Sequence, residues 1–122
     1  LLDPERDTEE IKDLCFMAFH NEDYPKYGFL HNFVQFCCEN GGYDLGIDVC
    51  LEYLDDPDID TTVMYALAAF YLKKGHVQQA CNYLERALIA APDDSYSDFE
   101  ELDARFVDVP EVMELLSRYT NF

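Results

Sequence analysis

Apolar residues recur every three or four positions along this chain, in blocks separated by Pro, Gly or Asn, which is the period of amphipathic helices. The first block is Ile11, Leu14, Cys15, Ala18 and Phe19, and Asp7 followed by Glu10 places a capping acid and its reciprocal partner ahead of it. The spacing predicts a helix over about Thr8 to His20. Asn21 to Gly28 contains Pro25 and Gly28 and reads as a connection. From Phe29 to Glu39 the residues Phe29, Leu30, Phe33, Val34, Phe36, Cys37 and Cys38 cover most of a helix circumference. So wide an apolar arc predicts neighbours on more than one side.

Asn40, Gly41 and Gly42 end that helix by permitting a left-handed backbone. Leu45, Val49, Cys50, Tyr53 and Leu54 form the next stripe, which stops near Pro57. Asp60, Thr61 or Thr62 is suited to cap a helix carrying Met64, Leu67, Ala68 and Tyr71. After a hinge at Gly75, the residues Val77, Ala80, Cys81, Leu84, Ala87, Leu88 and Ala91 lie on one face until Pro92. A short helix is expected around Phe99, Leu102 and Phe106, and Pro110 opens a last one with Val112, Leu115, Leu116 and Tyr119. The expectation is an all-α domain of six or seven helices with no strand, joined by connections short enough for antiparallel hairpins.

Small residues fall where two helices of a hairpin would cross. Leu67, Ala68, Tyr71, Gly75, Ala80, Leu84, Ala87 and Pro92 carry a spacing that resembles the tetratricopeptide repeat, a 34-residue helical pair. One such unit would run from Thr61 to Asp94. A shift of one repeat gives a divergent unit from Tyr27 to Asp60, in which Phe33, Val34, Cys37, Gly41, Gly46 and Cys50 take the corresponding places, while Tyr53 replaces a small residue and Pro57 comes one place early. Residues 7–26 would then be an N-terminal helix and 95–122 capping helices of one 1–122 domain, the whole a short TPR-like superhelix. Sel1-like and half-a-TPR solenoids share the same hairpin logic.

In that family the first helix of each pair lines a concave groove that holds an extended peptide or a partner's helix. The resemblance therefore implies His31, Gln35, Cys38 and Glu39, with Thr62, Tyr65, Ala69, Leu72 and Lys73, as the partner-binding positions. Members that grip a terminal carboxylate use lysine and asparagine there. This chain has His31, Gln35, Tyr65 and Ala69 instead, so an apolar segment with some positive charge is the better match.

Charge changes the picture of the partner. The 122 residues hold 26 acids against 8 Lys and Arg, a formal net charge of -18, and no Lys or Arg lies between Lys26 and Lys73. Such a chain attracts cationic partners and repels polyanions, so nucleic acid is excluded as a ligand. The acids also admit two other readings: a structural or oligomerisation domain that self-associates through a terminal hairpin bearing Phe99, Phe106, Leu115 and Leu116, or a mimic of nucleic acid that occupies a basic protein.

Candidate chemistry is sparse. Asp56, Asp58 and Asp60 imitate the start of a calcium loop, but Thr61 stands where its glycine belongs and Leu67 where its last acid belongs. His20, His31 and His76 are scattered, and the five cysteines show no zinc spacing. The expectation is a non-enzymatic adaptor or scaffold with no cofactor and no metal. Cysteines set within apolar helical patterns suit the cytoplasm or another reducing compartment. No apolar stretch is long enough to span a bilayer, so membrane insertion is not expected, and a start at Leu1 fits a piece of a longer protein.

Overall fold

The computed structural model describes residues 3, 6–21, 23, 25–57, 59–90 and 109–119, with backbone alone at 27, 116 and 119. Among them the protein is all-α, with six helices and no strand: α1 Thr8–Phe19, α2 Lys26–Asn40, α3 Tyr43–Glu52, α4 Asp60–Lys73, α5 Val77–Ala90 and α6 Pro110–Tyr119. Each helix packs against its neighbours in sequence, giving stacked antiparallel hairpins. The expected short helix around Phe99, Leu102 and Phe106 lies outside the described residues.

The connections explain why the helices stop where they do. Gly41 has φ 71° and Gly75 φ 80°, a left-handed conformation that only glycine adopts without a Cβ clash. At both turns the next amide reaches back to cap the helix end: Gly42 N–H donates to the Cys37 carbonyl at 2.8 Å, and His76 N–H to that of Tyr71 at 2.9 Å. These two closures are one 34-residue step apart. So are the starts of α2 and α4, at Lys26 and Asp60, and of α3 and α5, at Tyr43 and Val77. This spacing of the two hairpins is consistent with a generic helical-repeat architecture.

Three helix starts differ in detail from expectation. α2 begins at Lys26, directly after Pro25, so Gly28 lies in the first turn of the helix rather than in a connection. Phe29 N–H donates to the Pro25 carbonyl at 3.0 Å, and the first-turn amides have no intrahelical acceptor to lose, which makes a glycine tolerable there. Asp7 does sit at the N-cap of α1, but its side chain makes no cap bond. Arg6 and the Asp3 amide take its carboxylate instead, at 2.8 and 2.9 Å. Their hydrogen bonds hold the Asp7 carboxyl below its usual range. α4 is capped by neither Asp60 nor a threonine; Ile59 holds the N-cap place, and the Asp60 carboxylate accepts from the amide of Thr61.

α4 divides the interior in two. Every residue from Val63 to Phe70 is buried. Val63, Ala66, Leu67 and Phe70 join the cluster formed with α1, α2 and α3. Met64, Tyr65, Ala68, Ala69 and Leu72 join a second cluster with α5 and α6, which holds Ala80, Leu84, Ala87, Leu88, Val112 and Leu115. Ala68 and Ala80 are both fully enclosed there, as a close helix crossing requires. At the neighbouring crossing the small residue is Gly46 of α3. A Cβ added there would come within 2.4 Å of the Phe70 ring.

Three lysines pin the helices to acids around α3. Lys12 of α1 approaches Asp48 at 3.9 Å, Lys26 of α2 bonds Asp56 at 3.1 Å, and Lys74 after α4 pairs with Asp44. The pairs are partly exposed, so each orients its helix more than it stabilises the fold.

Candidate interaction groove

The nine positions carried over from the repeat resemblance fall into two groups. His31, Cys38, Thr62 and Lys73 are half-buried and Gln35 and Glu39 exposed, with the Gln35 amide donating to the Glu39 carboxylate at 3.3 Å. Tyr65 and Ala69 have 0% of their surface exposed and Leu72 has 7%. These last three cannot present themselves to a partner in this structure: they face the α5–α6 side of α4 and form part of its core. The positions on α2 and α4 therefore do not make a continuous apolar groove.

An apolar groove does exist, one helix earlier. α1 and α2 enclose a trough of about 480 Å³. Its floor is Ile11, Cys15, Ala18 and Phe33, all buried, and its walls are Leu14, Met17, Phe29 and Phe36, with Asn21 and Asn32 as the polar lining. Met17 is 67% exposed and Leu14 44%, so the walls stand open to solvent.

Helical periodicity builds both walls. Leu14 and Met17 follow one another by one turn on α1 with Asn21 just past its end, and Phe29, Phe33 and Phe36 are spaced by one turn on α2. α2 carries a second stripe, Leu30, Val34 and Cys37, which is buried in the cluster shared with α3 and α4. The wide apolar arc of α2 thus serves two sides at once. That arc was the signal in the sequence that could have located the trough.

The rim of this trough is acidic at one end. Glu10 and Asp13 precede Leu14 and Met17 by one turn of α1, and Glu39 follows Phe36 by one turn of α2; all three are exposed. Lys12 lies on the other flank of α1, against Asp48. At the opposite end Asn21 follows the close of α1 with the exposed Asp23 two residues on, and Asn32 lines the trough midway along α2.

On the far flank of α1 the Phe16 and His20 rings stack at 4.1 Å, and the His20 Nδ1 lies 3.0 Å from the Phe16 carbonyl oxygen. Phe19 and Tyr53 pack at 4.4 Å and complete an aromatic seam between α1 and the end of α3. It anchors the helix that supplies one wall.

The cysteines contribute packing rather than reactivity. Cys15, Cys37 and Cys50 are buried and free, and burial pushes the first two thiols up to about 12 and the third higher still. Among the described residues no group of three or more His, Cys, Asp or Glu could hold a metal ion. No described helix is long and apolar enough to cross a membrane. Compared with known proteins, the chain matches no family model, no curated sequence and no solved structure.

Proposed function

We propose that the protein is a tetratricopeptide-like interaction module that docks an apolar segment of a partner protein, bearing basic residues, into the α1–α2 trough. The 34-residue step shared by both hairpins and their matching glycine turns support the repeat reading. The observation that carries the docking reading is the open apolar trough itself, walled by exposed Leu14 and Met17 beneath an acidic rim. Exposed apolar surface of this kind costs solubility unless something uses it. The rim and the charge of -18 favour a cationic segment, and they oppose two copies of this chain meeting through the same face. Free, buried thiols fit a reducing compartment.

The test uses a defined probe, a fluorescent amphipathic peptide with leucines on one face and lysines beside them, followed by anisotropy. Binding should weaken more than tenfold when Leu14→Ser and Met17→Ser are combined, with the melting temperature held within about 2 °C because both residues are exposed. Equal affinity for the wild type and this variant would remove the trough from the account.

A further inference from the structure

The two hairpins supply an internal template for what the trough should hold. α2 packs against both α3 and α4 and so occupies the furrow between a second helix and the first helix that follows it. α1 and α2 stand in the same order as α3 and α4 and also touch, through a much smaller contact. α1 also lies about one repeat before α3 in the chain. Stepping α2's seat back by one repeat places it on the α1–α2 trough, into which no described helix packs.

We infer that this trough seats a single amphipathic α-helix of a partner protein, lying parallel to α2, with lysine or arginine in its C-terminal turns. The inference rests on the docking reading above and adds the occupant's conformation, direction and charge. Helices one repeat apart, such as α2 and α4, run the same way, because each is separated from the next by one antiparallel helix. The occupant therefore runs with α2 and against α1. Its apolar side repeats every three or four residues, as the stripe Leu30, Val34 and Cys37 does where α2 fills its own furrow.

Charge fixes where the basic residues fall. Against the exposed Asp23 near the other end, Glu10 stands in the first turn of α1, with Asp13 one turn further along α1, and Glu39 in the last turn of α2. The carbonyl end of α2 adds its partial negative charge at the same place. A helix parallel to α2 brings its last turns there, and cations in those turns also suit that helix's own dipole. A second copy of this chain is a poor occupant, since its α2 carries Glu39 at that position.

Two synthetic peptides of about 16 residues, enough to match the length of α2, separate the outcomes. Both carry the same leucine stripe; one has three lysines in its last two turns and the other has them in its first two. At low salt the first should bind about three- to tenfold more tightly, given the modest worth of exposed ion pairs. A nitroxide on its C-terminus should broaden the amide resonances of Glu10, Asp13 and Glu39, and one on its N-terminus those of Asn21 and Phe29. Combining Glu10→Gln with Glu39→Gln should erase the preference between the peptides while the melting temperature stays unchanged. Equal affinities, reversed broadening, or a bound peptide without helical signature would overturn this inference and leave the docking reading standing. Failure of both peptides to bind at any salt concentration would overturn the docking reading, and this inference with it.

Discussion

The helices α4 and α1 both carry large apolar residues on more than one side and end in opposite states. α4 is apolar nearly all round, and each of its sides has a neighbour: α2 and α3 on one, α5 with the second core cluster on the other. No large hydrophobic residue of α4 is exposed. α1 is also apolar on several sides, yet Leu14, Phe16 and Met17 all meet solvent, because α2 and α3 cover only the face that holds Ile11, Cys15 and Phe19. The difference teaches that apolar content marks a helix for contact without saying whether the contact lies within the chain. In a stacked array that depends on the presence of the next helix, and each helix needs two flanks.

If α4 is the sealed partition, its truncation should do the most damage. Tyr65→Ala removes a fully buried ring, so unfolding in denaturant should show a loss of about 3–5 kcal/mol, with loss of binding only as a consequence of unfolding. A variant that folds normally and merely fails to bind would return Tyr65 to the surface. Gly46→Val should follow, at about 1–3 kcal/mol, since its side chain would be forced into the Phe70 ring between α3 and α4. A melting temperature equal to that of the wild type would contradict the tight crossing.

A third effect tests the thiols beneath the trough. Cys15 and Cys37 hold their protons to about 12 when folded against an ordinary value of 9.0, and Cys50 is shifted in the same direction. A raised folded value means the stabilising contribution is complete below pH 9 and is lost as the pH climbs from there towards 12. The melting temperature should therefore fall over that interval, and less steeply in Cys50→Ala. Tyr53 and Tyr71, also raised by burial, act in the same sense and leave a residual slope in the variant. An unchanged slope would show that the thiol does not contribute.

The smallest effect belongs to Gly28→Ala. A Cβ there meets nothing within 4 Å and the residue is helical, so the change should stabilise by about 0.5–1 kcal/mol. Destabilisation would mean that α2 does not begin at Lys26.

The helical hairpins were legible in the sequence because their punctuation is chemical. Gly41 and Gly75 mark turns that need positive φ, Gly46 marks a place where bulk cannot fit, and Ala80 is enclosed in the second core cluster. Helix starts were less legible, since Asp7 has the right chemistry for a cap and is drawn away by Arg6, a competition that spacing does not reveal. The burial of three expected groove positions was hidden for a related reason. Tyr65, Ala69 and Leu72 stand at positions that face a groove in the repeat family, but here the second core cluster with α5 and α6 buries them. The arc holding Phe29, Phe33 and Phe36 predicted neighbours on more than one side, but sequence does not show that, among the described residues, no helix beyond α1 and α2 lines that side.

The account turns on which apolar face takes a partner, and a comparison of two paired variants decides it most directly. Leu14→Glu with Met17→Glu spoils the α1–α2 trough, whereas His31→Glu with Thr62→Glu spoils the α2–α4 face, and all four residues have accessible surface. Calorimetric titration with the lysine-bearing amphipathic peptide should show no binding to the first variant and an affinity within about twofold of the wild type for the second. The reverse pattern, with both proteins folded, would contradict the central claim and restore the concave face of α2 and α4 as the docking surface.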